Sequence, residues 1–119
     1  MATTDLDNNV PLKMYLHELA IIPPLTNDEE ASLLQHVRTQ DDQAKSAGTR
    51  LVEAYLSLVV SIAERHSSAG ISILDLIQEG NLALEVALKT FTGGPSGSFS
   101  SHAASCVEQA ISKAIAESR

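Results

Sequence analysis

Asp75, Gln78, Glu79 and Asn81 place two carboxylates and two carboxamides in a short run of otherwise apolar sequence. Side chains three and four residues apart share one face of a helix, so Asp75, Gln78 and Glu79 belong together. Their chemistry is that of recognition. Carboxylate and amide oxygens accept hydrogen bonds from the planar fork of an arginine, so such a face suits an Arg-rich partner. The bland alternative is a solvated helix face. Catalytic chemistry finds little support elsewhere. His17, His36, His66 and His102 are scattered, and no HExxH or paired Cys/His spacing is present, so no metal site is expected. The glycine-rich tract at 93–97 lacks the lysine and flanking strand of a phosphate cradle and reads as a linker. Cys106 falls on an apolar helical stripe, where a buried structural thiol is expected rather than a nucleophile. Neither enzymatic activity nor a cofactor is expected.

The elements that must position these groups follow from periodicity. Ile73, Ile77, Gly80, Leu84, Ala87, Leu88 and Phe91 recur at three- and four-residue steps, which predicts a helix over about 72–91 with one apolar face. Asp75, Gln78, Glu79 and Leu82 take the opposite face. Ser72 with Asp75 three residues later resembles a capping box, with Asp in place of the usual Glu. A first helix is predicted from Pro11, well placed at a first helical position, to Ala20, with Pro23 and Pro24 as its stop. Thr26 and Glu29 form a capping box for a second, which turns Leu33, Leu34 and Val37 inward. Asp41 and Asp42 mark a turn before a third helix striped by Leu51, Tyr55, Leu58, Val59 and Ile62, whose start Gly48 weakens. The tract at 93–98 is the clearest break in the chain. A fifth helix then begins near Ser100, with Ala103, Cys106, Val107, Ala110, Ile111, Ala114 and Ile115 inward. No strand pattern, internal repeat or sustained heptad is present. The expected fold is all-α, a compact helical bundle of about five helices.

Composition agrees with that architecture. A chain of 119 residues that is 44% hydrophobic can bury one ordinary core, so a single domain over 1–119 is expected. Aromatic residues make up only 3%, which leaves Leu, Ile, Val and Ala to fill a core between closely packed helices. One cysteine excludes an internal disulfide and fits a reducing compartment. No stretch is long and apolar enough to span a membrane, and residues 1–9 lack the basic and apolar parts of a signal peptide. A soluble, cytoplasmic protein is expected.

The motifs also carry a family resemblance. LVVSIA at 58–63, DLIQEGN at 75–81, Phe91 and the run Phe99-Ser100-Ser101 occur in the order seen in the second region of primary-type bacterial RNA polymerase sigma factors, which this chain resembles. Lys13-Met14-Tyr15-Leu16-His17-Glu18, followed by Pro24-Leu25-Thr26 and Asp28-Glu29-Glu30, is similar to region 1.2 of that family. The resemblance covers roughly residues 8–119, with about 8–42 similar to region 1.2 and about 43–119 to region 2. It implies that Leu74, Asp75, Gln78, Glu79 and Asn81 dock on the clamp coiled coil of the largest catalytic subunit of core RNA polymerase. Glu85 departs from the family, which carries an apolar residue there.

The resemblance further implies a surface that opens promoter DNA, and here the chain departs sharply. The family's last helix supplies basic residues for phosphates and a tryptophan pair that wedges the duplex; this chain has Ser105 and Cys106 at the pair, and Glu108 in place of an arginine. A base stacked on an aromatic ring gains about 1–3 kcal/mol, which neither Ser nor Cys supplies. Phe91 and His102 match pocket positions of the family, while Gln109, Ser112 and Lys113 match or resemble its duplex-reading face; these five are expected to contact DNA weakly, against the alternative of a solvated helix face. Lys113 and Arg119 balance Glu108 and Glu117 over 92–119, and the whole chain carries −7, so strong autonomous binding to DNA is not expected.

Three readings follow. One is a sigma factor domain that binds core RNA polymerase and takes part in transcription initiation, with weakened promoter recognition and melting. Another is a sigma-derived module or decoy that binds polymerase or an anti-sigma factor without opening DNA. The last is a remnant that folds and engages nothing.

Overall fold

The computed structural model describes residues 10–66, 70–91 and 98–118, and five helices follow one another among them. They are α1 (Val10–Ala20), α2 (Asn27–Thr39), α3 (Ala44–Arg65), α4 (Ile73–Thr90) and α5 (Phe99–Glu117). The described residues contain no strand, and the fold is all-α. Residues 67–69 and the whole of the expected linker at 93–97 lie outside the described residues.

Local chemistry sets the helix ends. Thr26 and Glu29 make the reciprocal capping box: the Glu29 backbone N–H donates to Thr26 Oγ1 at 3.1 Å, and the Thr26 N–H donates to Glu29 Oε1 at 2.9 Å. Three acidic residues in the first turn of α2 add favourable charge at its positive end. Gln40 closes α2 in the left-handed region, with φ of 56° and its backbone N–H on the carbonyls of His36 and Val37. Asp41 then forms the expected turn: one carboxylate oxygen accepts from the Gln43 backbone N–H at 2.9 Å, and the other lies 2.6 Å from His36 Nδ1. Ser98 caps α5, accepting from the Ser101 N–H at 3.3 Å, so that helix starts at Phe99, one residue before the expected Ser100.

The capping box expected at Ser72 does not form. Ser72 precedes α4 and its carbonyl accepts from the Leu76 N–H, but its side chain makes no cap hydrogen bond. Asp75 is one methylene shorter than the Glu of a true capping box and makes no return bond.

The core sits where α3, α4 and α5 meet, with the α4–α5 interface the most extensive. Val59 and Ile62 of α3 meet Leu76, Ile77 and Leu84 of α4 and Val107 and Ile111 of α5, all buried. Leu76 is fully buried although it was not on the predicted apolar stripe; the buried arc of α4 is wide because the helix packs against neighbours on two sides. α2 packs chiefly on α3 and contains no fully buried residue. Leu33, Leu34 and Val37 are therefore only half-buried, less inward than expected. A hydrogen bond from the Tyr55 hydroxyl to Glu30 Oε1 ties α3 to α2, and Arg50 Nη2 donates to the Pro23 carbonyl at 2.8 Å, anchoring the α1–α2 connection. α1 inserts Leu12 and Leu19 into the core and exposes Val10 and Met14, and Ile21 just past its end is exposed as well.

Candidate functional site

α4 presents the first candidate surface. Burial of Ile73, Leu76, Ile77, Gly80 and Leu84 on its inner side leaves Asp75, Gln78, Glu79 and Leu82 exposed together. Among the described residues, Asp75, Gln78 and Glu79 make no side-chain hydrogen bond or ion pair, so their acceptors are free for another molecule. Asp75 also lies in the first turn of α4, where a carboxylate is favoured by the helix dipole.

The other two predicted docking residues sit differently. Leu74 is half-buried and packs against the core. Asn81 turns toward α1, where its Nδ2 donates to the Tyr15 hydroxyl at 3.3 Å, and its buried Oδ1 has no partner. Asn81 thus belongs to the seam between α1 and α4, about 120° around the helix from Asp75 at 100° per residue. Val86 was missed from sequence: it follows Leu82 by one turn and is equally exposed, at 56% each, adding an apolar end to the acidic face.

α5 and the end of α4 present the second surface. Phe91 and His102 come together with ring centroids 5.6 Å apart and planes tilted by 39°. Behind them Phe91 meets Phe99 edge-on at 5.4 Å, and Phe99 meets Tyr55 at 5.1 Å, so the pair is backed by an aromatic row running into the core. His102 Nε2 lies 3.0 Å from Thr90 Oγ1, and the Thr90 hydroxyl lies 3.0 Å from the Val86 carbonyl. One proton arrangement satisfies both: the hydroxyl donates to the carbonyl and accepts from a proton on His102 Nε2. Cys106 Sγ is 3.8 Å from the same nitrogen and only half-buried, so the expected fully buried thiol is not found. Ser105, Gln109, Ser112 and Lys113 are all exposed along α5.

Glu108 has a role that sequence reading missed. Its Oε2 accepts from Arg65 Nη2 at 3.1 Å, and its Oε1 lies 2.7 Å from His66 Nε2. The partners are 42 and 43 residues apart, so no local signal exposes the contact. The two candidate surfaces also touch: Glu79 of α4 and Lys113 of α5 line one shallow groove of about 460 Å³. A larger groove of about 800 Å³ lies between the end of α2, the start of α3 and the end of α4, floored by Val37, Val52 and Leu88, and none of the predicted site residues lines it. Among the described residues, no group of three or more His, Cys, Asp or Glu side chains could hold a metal ion, and no helix is long and apolar enough to cross a membrane.

The described residues thus form an all-α scaffold with one acidic-amide face on α4 and an aromatic-histidine corner at the start of α5. Residues 51–119 match the model of Sigma-70 region 2, and the chain belongs to that family. Proteins described as RNA polymerase sigma factor SigA are similar to it: 43% identical over 109 residues in a Bacillus species, covering 92% of this chain and 28% of that protein. The Listeria monocytogenes protein is 44% identical over 109 residues with the same coverage, and that of Clostridium acetobutylicum is 44% identical over 107 residues, covering 90% and 28%. The chain therefore spans little more than a quarter of the length of the curated relatives it matches.

Proposed function

We propose that this chain acts in transcription initiation by docking on core RNA polymerase through the exposed face of α4. The observation that supports it best is the set of unengaged acceptors on Asp75, Gln78 and Glu79 beside the apolar pair Leu82 and Val86. Arginine forks bind such carboxylates and amides in pairs, and the aliphatic residues add buried area to the contact. The clamp coiled coil of the largest catalytic subunit is the proposed partner, and the cytoplasm the place of action. Leu74 and Asn81 support the face from its flank and from the α1 seam. Residues 8–42 are proposed to be the region 1.2-like part and 43–119 the region 2-like part of one sigma domain.

Promoter recognition and melting are proposed to be weak. Phe91 and His102 offer a small stacking surface, and Gln109, Ser112 and Lys113 a thin polar stripe, while Ser105 and Cys106 supply no ring to wedge between bases. Glu108 adds a carboxylate where a phosphate would approach. These same features favour a second reading, in which the chain occupies polymerase or an anti-sigma factor without opening DNA.

One titration separates the readings. The purified chain is added to core RNA polymerase carrying a fluorescent promoter probe that reports strand opening. Binding with opening marks a working sigma domain with an intact DNA surface, and binding without opening supports the competitor. Absence of binding, or binding unchanged by Gln78→Ala and Glu79→Ala, rules out the α4 face.

A further inference from the structure

We propose that the Glu108 carboxylate is a built-in competitor for nucleic-acid phosphate: it fills an anion site made by Arg65 and His66 and thereby lowers the chain's affinity for single-stranded DNA. The inference rests on α5 facing DNA, as in the reading above, and is independent of the α4 docking face.

The site is assembled by the end of α3. Arg65 is the last residue of that helix and His66 its C-cap, a terminus whose free carbonyls favour cationic side chains. Both side chains turn toward α5 and meet one carboxylate, an oxygen each, at 3.1 and 2.7 Å. A phosphodiester offers the same paired oxyanions to the same donors. Arg65 remains 67% exposed, so a phosphate can reach it from solvent. An exposed pair of this kind holds weakly and exchanges readily. The carboxylate nevertheless cancels the guanidinium charge locally, and half-buried Glu108 stands next to exposed Gln109 and one turn before exposed Ser112 on α5. Removing its charge while keeping its shape would leave Arg65 and His66 as unopposed donors beside Gln109, Ser112 and Lys113.

The test is a titration of the full chain against a fluorescent, mixed-sequence single-stranded DNA of about 12 nucleotides at several salt concentrations. Glu108→Gln is expected to raise affinity roughly three- to tenfold at low salt and to steepen the dependence of log K on log salt by about 0.7–1.4, the increment for one or two phosphates. Arg65→Gln should change affinity little in the parent chain and erase the gain in the Glu108→Gln background. Unchanged affinity and slope in Glu108→Gln overturns the proposal, as does an equal loss from Arg65→Gln in both backgrounds. Should Glu108→Gln lose its helical circular dichroism, Glu108→Ala is titrated in its place: a gain in affinity and slope that Arg65→Gln erases supports the built-in competitor, and unchanged affinity removes it. Pull-down of core polymerase without DNA is read in parallel. Retained docking with no DNA gain defeats this proposal alone, and a DNA gain without docking defeats the polymerase reading alone.

Discussion

Gly80 and Val59 set how closely α4 approaches α3: a Cβ on Gly80 would lie 2.6 Å from Val59 Cγ1, with Val107 and Ile111 at 3.2 and 3.3 Å. The glycine of the DLIQEGN run is thus a packing residue facing the core, while the acids and Gln78 beside it face out. Valine on a helix is stiff at χ1, so the clash cannot be relieved by a free rotation. Gly80→Ala gains about 1 kcal/mol of helix propensity but must overpack the three-helix junction, at about 1–3 kcal/mol or more. We expect net destabilisation, read as a lowered Tm in thermal unfolding followed by circular dichroism.

Gly48 gives the contrasting case. A Cβ there would meet Leu88 Cδ2 at 3.3 Å, the end of a flexible, half-buried side chain, and Val37 only at 3.9 Å. Leu88 can yield, so Gly48→Ala is expected to stabilise by about 0.5–1 kcal/mol through propensity and a less flexible unfolded chain. Urea unfolding checks this as a higher midpoint with an unchanged slope.

Acid stability should depend on the ends of α2. The Thr26 backbone N–H holds Glu29 below its ordinary value of 4.5, and His36 beside Asp41 holds that carboxyl below 3.8. Lowered folded values mean that the stability these groups add is complete above the ordinary values and is lost as pH falls through the lower ones. Unfolding measured between neutral pH and pH about 3 should show a shallower acid loss in Glu29→Gln than in the parent. Thr26→Ala should cost about 1 kcal/mol at neutral pH, the usual loss of an N-cap.

Tyr55 makes the opposite prediction at high pH. Burial, with the Glu30 carboxylate accepting a hydrogen bond from its hydroxyl, pushes the Tyr55 phenol above its ordinary value of 10.0. A raised folded value gives stability that is full below that ordinary value and declines as pH climbs past it. Tyr55→Phe should lower stability by about 1 kcal/mol at neutral pH and flatten the alkaline loss. Tyrosinate absorbance in the folded parent should show Tyr55 ionising above its ordinary value of 10.0.

Stability and docking should separate cleanly on α4. Asp75, Gln78 and Glu79 are exposed and make no side-chain bond among the described residues, so alanine at Gln78 or Glu79 should shift stability by no more than about 0.5 kcal/mol. Polymerase capture is expected to fall in the same variants while Tm stays put. A Tm drop large enough to account for the lost capture counts against a recognition role.

Rings restored on α5 should behave unequally. Ser105 is exposed, so Ser105→Trp is expected to fold and to raise single-strand binding by about 1–3 kcal/mol if a base stacks on it. Cys106 is half-buried against His102, and Cys106→Trp must displace that ring or overpack the junction, at about 1–3 kcal/mol of stability. Thermal unfolding of the two single variants, beside fluorescence titration with an oligonucleotide, distinguishes them.

Much of this molecule was written in local sequence. Helical periodicity placed α3, α4 and α5, because apolar residues at three- and four-residue steps have one economical burial, while Pro11, the Pro23–Pro24 stop and the Thr26 cap bounded α1 and opened α2. The Thr26–Glu29 box and the exposure of Asp75, Gln78 and Glu79 were equally legible, since capping and facing depend on spacings of three and four residues. What the sequence left open lies in relations between distant segments. That Asn81 serves the α1 seam through Tyr15, 66 residues away, that Gly80 admits Val59, and that Glu108 closes on Arg65 and His66 were decided only when α1, α3, α4 and α5 packed together. Periodicity fixes which side of a helix is apolar; the crossing of helices decides which polar group at the border of that side finds a partner within the chain and which is left for another molecule.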